Sequence, residues 1–230
     1  MGALSTRPFA NGVVSITFDD DLVDAYTKAR PLMDGYGWGG TGYVLAYTVG
    51  PHLTLEDLHR LEHTHGWEVA GHGFARHVDL TTLTPSDLDS EIRSTRQWLE
   101  KHNFRGQRHF AYPYSRHSRR VRTVVARYFD TARVVTGGAG NLLPPEASRR
   151  TRLGAFTWGA GYSSTDMLVQ QLERARTTAS WAILVFHTID GSGAYSISSA
   201  EFAALLTHID RLHLAVAPVG DVMRAFNGVD

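Results

Sequence analysis

The chain contains no cysteine. That absence excludes thiolate catalysis, cysteine-based zinc sites and disulfides. A long apolar run is missing too, so nothing resembles a membrane span, and no secretion signal is visible from Met1 to Asn11. Nor is there a surplus of one charge: 23 Lys and Arg balance 23 Asp and Glu. Nucleic acid is therefore not an expected partner, and long-range steering of a charged polymer is not indicated, although local patches are compatible with neutrality. Internal repeats, low-complexity tracts and linkers are absent, and 230 residues fit one sizeable domain.

What is present is an alternation of strand-like and helix-like stretches. Val13–Asp20 is β-branched and apolar, as in a buried strand, and 22–33 is helical in pattern. Further strands are expected at 41–48, 67–73, 109–114, 131–136, 153–157, 181–188 and, briefly, 214–219. Helices are expected at 54–66, 84–102, 119–129, 166–178 and 200–212, the first of these capped by Thr54. In the second, Thr84 caps and Pro85 takes the first helical position. Residues 137–150, rich in Gly and Pro, read as loop. Such alternation predicts a parallel sheet flanked by helices, and this number of units favours a single-domain α/β fold, an irregular (β/α)7–8 barrel. An open doubly wound sheet is the runner-up, weakened because no glycine-rich phosphate turn follows the first strand.

Unusual polar residues fall at corresponding places in these units. Asp19 and Asp20 end the first strand, His72 ends the third, His77 follows in its loop, and Tyr112-Pro113-Tyr114 and His187 end two more. The carboxyl ends of all strands in a parallel barrel face one mouth, so these residues should converge there. Twelve histidines already favour a metal or acid–base site. A carboxylate with two imidazoles is a donor set for a divalent cation that leaves a position for water. A second carboxylate can accept the water proton, and an opposing histidine can protonate a leaving amine or alkoxide. Adjacent Asp19 and Asp20 would point apart on a regular strand, so the strand must turn there if one binds metal and the other acts as base.

Each piece also has a bland reading. An Asp-Asp pair is often a turn and helix cap, His72 could be a packed histidine, and a histidine pair five apart is not helical spacing. His59, His63, His65, His102, His208 and His213 read as helix-surface or packing residues. Trp38 and Trp158, in glycine-rich loops, could either stack on a sugar or pack. The joint pattern resists these accounts, because five coincidences at one mouth are required together.

The same residues carry a resemblance to the polysaccharide deacetylase family, the NodB-homology carbohydrate esterases of family four. ITFDD at 16–20, WEVAGHGFARHVDL at 67–80, FAYPYS at 110–115 and ILVFH at 183–187 look like its successive motifs, in order, over about residues 13–226. The resemblance implies an irregular (β/α) barrel and one catalytic domain spanning 1–230. It implies Asp19 as general base, Asp20, His72 and His77 as ligands of a divalent metal (Zn²⁺ first, with Co²⁺, Ni²⁺ or Mn²⁺ compatible), the Tyr114 backbone N–H in an oxyanion hole, and His187 as general acid. The substrate would be an acetylated glycan, foremost one containing N-acetylglucosamine, and the place of action outside the cell or in its envelope.

Four departures stand out. Four residues, not three, separate the histidines, a spacing the resemblance shares with poly-N-acetylglucosamine deacetylases. The arginine before the Pro-Tyr motif is missing, and Arg133 on the next strand is its expected substitute. No Asp-x-x-Asp-Trp motif is found; the stretch around Arg152 and Trp158 takes its place. Asp21 stands where glycine commonly follows the acid pair. Two other readings stay open: hydrolysis of a small amide or cyclic imide, and a glycan-binding module with a dead active site.

Overall fold

A computed structural model describes residues 8–50, 52–136, 140–159 and 163–227. Seven parallel strands close into a barrel: β1 (Val13–Asp20), β2 (Thr41–Leu45), β3 (Glu68–Gly73), β4 (Gly106–Ala111), β5 (Thr131–Val135), β6 (Leu153–Thr157) and β7 (Trp181–Phe186). Each pairs with the next, and β7 returns to β1 in register from Val13↔Trp181 to Phe18↔Phe186. The helices lie between: α1 (Arg30–Asp34), α2 (Leu55–His65), α3 (Pro85–Lys101), α4 (Arg119–Tyr128) and α5 (Thr165–Thr178). A two-stranded parallel ribbon follows, β8 (Thr188–Ile189) with β9 (Ser196–Ile197), then α6 (Ser199–Arg211), β10 (Ala215–Val216) and α7 (Val219–Asn227).

Period-two alternation sorts β1 into two faces. Val14, Ile16 and Phe18 turn outward to the helices, where Phe18 meets Phe186 and Phe202 at ring-centroid distances of 5.5 and 5.8 Å. Ser15, Thr17 and Asp19 turn inward, and the strand's inner polar groups are satisfied within the barrel. Ser15 Oγ donates to Ala217 O at 2.7 Å and Thr17 Oγ1 to Leu184 O at 2.8 Å. An inner apolar layer of Val13, Leu153, Ala155, Trp181, Ile183 and Val185 fills the lower barrel.

Several boundaries differ from the sequence expectation. The second strand ends at Leu45, where a short 3₁₀ turn begins. The fourth begins three residues earlier and ends before Tyr112, because Pro113 has no N–H to extend the ladder. The expected helix at 22–33 is observed at 23–34, since Leu22 has a φ of 60°, and Ala25–Ala29 within it forms a π turn before α1. The expected strand at 214–219 shrinks to Ala215–Val216 and gives way to α7. Pro218 and Asp221 carried that helix-start signal, overridden by the apolar run. Part of the 137–150 loop, 137–139, lies outside the described residues.

α7 closes the barrel floor. The N–H of Val219 donates to Thr41 Oγ1 at 2.9 Å and that of Gly220 to the buried Glu68 carboxylate at 2.8 Å. A Cβ on Gly220 would lie 2.0 Å from Glu68 Oε1, so a larger residue there would displace the buried carboxylate. At the same end the rings of Phe9 and Phe226 meet, 6.1 Å apart.

Glu62, on the inner face of α2, ties three elements together. It accepts the Val69 N–H at 2.7 Å and the Arg105 N–H at 3.0 Å. Burial outweighs these bonds and raises its pKa from 4.5 to about 7. An acid raised on folding gives stability that is whole below its unfolded pKa and drains away as pH rises. The stability advantage of wild type over Glu62→Gln is therefore expected to shrink by up to about 3 kcal/mol between pH 4.5 and 7. Urea unfolding of both proteins across that window measures it; a constant difference would contradict the raised pKa.

Candidate active site

The strand ends assemble the expected residues at the mouth. Asp19, last of the inward series on β1, is 5% exposed. Asp20 then takes a left-handed conformation, φ 77°, which breaks the alternation and keeps both carboxylates at the mouth. Asp21, where glycine was expected, accepts the Val23 N–H at 3.1 Å and helps turn the chain into the following helix.

His72 reaches in from the end of β3. Its Nδ1 faces Ala111 O at 2.9 Å, which fixes the proton on that nitrogen and leaves Nε2 as a lone-pair donor 3.6 Å from Asp20 Oδ1. Burial above all depresses its pKa to about 4, so the imidazole is neutral at pH 7 and its closeness to the aspartates is not an ion pair. His77 Nε2 lies 3.9 Å from the same oxygen. One donor atom from each of Asp20, His72 and His77 falls within a 4.8 Å cluster. Asp20 Oδ1 and His77 Nε2 are buried without a hydrogen-bond partner. Two buried donor atoms with no protein partner, beside a third of the right tautomer, make a donor set that fits a divalent metal.

The loop between the two histidines is held by a residue the sequence analysis missed. Glu91 of α3 is 7% exposed, and its Oε1 accepts the Phe74 and Ala75 N–H groups at 2.7 and 3.1 Å. Its signal was a carboxylate on the helix stripe that Leu88, Ile92 and Leu99 bury.

Arg133, inward on β5 and 1% exposed, places its guanidinium against Asp19 Oδ1 and stacks over the Tyr43 ring at 4.7 Å. Burial pushes the Asp19 pKa up, but Arg133, then His72 and His187, outweigh it and hold it below the ordinary value. Asp20 goes the other way: burial and the Asp19 charge lift it to about 6. Tyr114 sits beyond β4 with φ 55°, and its ring stacks on His77 at 4.2 Å. His187 follows β7 directly, beside Tyr195 at a ring distance of 5.0 Å. Its Nδ1 is buried and unpartnered, so no acid stands in for the missing motif aspartate among the described residues.

These residues line one cavity of about 350 Å³, with Asp19, Asp20, His72, His77, Tyr114 and His187 facing it. Trp38 and Trp158 are not among its walls. Trp38 stacks on Tyr36 at 4.4 Å before β2, at the floor end, and both tryptophans pack against the core. A larger groove of about 510 Å³ lies elsewhere, between α3 and α4, and has none of this chemistry.

Comparison with known proteins fits this geometry. A sequence model of the family described as polysaccharide deacetylase matches residues 6–129. The chain belongs to the polysaccharide deacetylase family. The polysaccharide deacetylase-like protein YxkH of Bacillus subtilis (strain 168) is 29% identical over 107 residues, 46% of this chain but only 38% of that protein. Among solved structures, the family 4 carbohydrate esterase from Streptomyces lividans, in complex with acetate, superposes with a TM-score of 0.59 at 22% identity over 88% of each chain. The family 4 pseudoenzyme BA3943 from Bacillus anthracis superposes at 0.61 with 13% identity over 94% of this chain and 66% of its own. At such identities the likeness is one of fold, a fold shared by an esterase and a pseudoenzyme.

Removing Arg133 would leave a buried, unpaired carboxylate. Arg133→Met is expected to cost about 3–5 kcal/mol, most of it recovered when Asp19→Asn is added. Urea unfolding of the three variants tests this; a single variant as stable as wild type would show that Asp19 does not depend on the arginine.

Proposed function

We propose that residues 1–230 act as one catalytic domain that removes acetyl groups from a glycan containing N-acetylglucosamine, with a divalent metal. The observation that carries this reading is the single cavity in which the Asp20/His72/His77 donor set, an arginine-held Asp19 and His187 face one another. Asp20, His72 and His77 would hold the cation, Zn²⁺ first, with Co²⁺, Ni²⁺ or Mn²⁺ as alternatives the donor set accepts. The chemistry such a cation supplies is Lewis acidity toward water and the acetyl carbonyl.

The chain's own residues do the rest. Asp19 stays ionised and buried, held by Arg133 on Oδ1, and takes the proton of the attacking water. The backbone N–H of Tyr114, presented by the left-handed turn after β4, donates to the oxygen that becomes negative. His187, at the end of the neighbouring strand β7, gives a proton to the leaving amine nitrogen as the C–N bond breaks. Acetate and a free amine are the products; an acetyl ester would give acetate and a hydroxyl by the same route. Among the described residues no helix is long and apolar enough to cross a membrane, and action on an envelope or extracellular glycan is the setting we propose from the family.

Acetate release from chitooligosaccharides, β-1,6-linked N-acetylglucosamine oligomers and acetylated xylan is the direct test, after chelation and again after adding Zn²⁺ or Co²⁺. Release restored by metal is expected. Asp19→Asn should lower kcat by about 10²–10⁴ with metal still bound, whereas His77→Ala should lose the metal itself by equilibrium dialysis. No acetate from any substrate with metal bound would shift weight to a small-amide hydrolase or a binding module.

A further inference from the structure

The balanced net charge hides an uneven distribution. Residues 116–152 hold nine arginines against two acids, Asp130 and Glu146, while the remainder of the chain has an acidic surplus. One of those arginines, Arg133, is inside the barrel. Several of the others run along one side of the molecule, from the mouth downward.

The topology explains the alignment. α3 and α4 each follow a strand that ends at the mouth, so both run from mouth to floor, side by side. Tyr128 of α4 donates its hydroxyl to Asp89 of α3 at 2.9 Å. The groove between them holds about 510 Å³ at its upper part, where Arg119, Arg120 and Arg127 line it. Below, and sharing Arg127, a further 330 Å³ is lined by Arg93, Arg96 and Arg108. At the top, Arg116 belongs to the wall of the mouth cavity and is steadied by Asp79 at 2.9 Å. α4 begins three residues later, at Arg119.

The acids along this track are already taken. Asp89 receives Tyr128 and lies 3.6 Å from Arg127; Glu100 pairs with Arg96 at 2.6 Å; Asp130 pairs with Arg108. Among the described residues, no carboxylate pairs with Arg93, Arg119 or Arg120. Arg120 is fixed by donating to two backbone carbonyls, Thr81 O at 3.1 Å and Leu83 O at 2.9 Å, which orient its charge without cancelling it. Arg119 and Arg127 are eight residues apart on α4, about 12 Å along the helix. Separated positive charges along two adjoining depressions that share Arg127 suit a repeating polyanion better than one small anion. Guanidinium groups match carboxylate and phosphate oxygens in pairs.

We propose that the α3/α4 groove is a binding track for an anionic glycan, whose chain runs off the mouth past Arg116 and Arg119 and down to Arg93. The inference rests on the reading of the mouth as a glycan deacetylase and names the substrate class more closely: a polymer bearing carboxylate or phosphate groups. The attraction is electrostatic and partly exposed, so it weakens with salt.

The test is direct binding of the full-length protein to immobilised polygalacturonate (carboxylate), poly(glycerol phosphate) and neutral xylan, over a range of salt. Retention on one or both anionic polymers and none on xylan is expected, and which of the two is preferred tells the source of the anion. Arg93→Gln and Arg119→Gln should each weaken retention about fivefold and flatten its salt dependence. Arg211→Gln, an equal charge change on α6, should not. Melting temperatures of the variants exclude unfolding as the cause. Equal binding to xylan, equal loss in Arg211→Gln, or tighter binding to RNA or to phosphatidylserine vesicles than to either glycan would overturn the proposal. Acetate release measured in parallel separates the two ideas. Release without arginine-dependent retention sinks the track alone, and arginine-dependent retention without release from any glycan sinks the reading of the mouth while the groove stands as an anion-binding surface.

Discussion

Asp19 has almost no access to water, and Arg133 is what allows it to keep its charge. The rest of the mouth follows from that pair. With Asp19 ionised, the neighbouring Asp20 is pushed toward the neutral form and His72, buried beside both, stays uncharged. Asp19 is thus the stronger acid of the two, and a divalent ion among Asp20, His72 and His77 would draw the Asp20 carboxylate back to its ionised form. The arginine is itself held flat by Tyr43, whose ring lies beneath it in the barrel interior. A pair in this setting contributes little net stability, since desolvation offsets much of the attraction. Its value is that it fixes which of two adjacent acids gives up its proton first.

The barrel gives this pair its partners at no local cost in geometry. Inward-facing positions of β1, β3, β5 and β7 point at one axis, so residues over a hundred positions apart meet without long loops to carry them. Unusual backbone is used at the mouth: Asp20, Tyr114 and Ser115, all lining the cavity, are non-glycine residues with positive φ. Asp20 ends β1 and the other two follow β4, where the alternation has to be broken to bring a group to the mouth. Such conformations persist where the surroundings over-determine them.

Much of this was legible in the chain, and the failures have physical causes. The strands at 13–20, 153–157 and most of 181–188 were readable because β-branched runs and turn residues agreed. The turn at Asp20 was deducible, since two adjacent strand residues cannot otherwise share one face. Arg133 could be nominated as the partner of Asp19 because it sits inward on the strand that follows the family's usual arginine position, and the structure brings the two together. Glu91 was not found, although a carboxylate in a buried helix stripe is a visible anomaly; its role depends on a loop whose path the sequence does not state. α7 was missed because a short apolar stretch reads equally as strand or helix start, and the deciding contact is with Glu68, some 150 residues away. The basic side of α3 and α4 was hidden by a net charge of zero.

α7 does more than stopper the barrel. By lying across the floor it brings Phe226 against Phe9, so the two ends of the described chain leave the domain at one pole, opposite the mouth. The mouth residues and these two end segments therefore occupy opposite ends of the strands, so a change in one need not disturb the other.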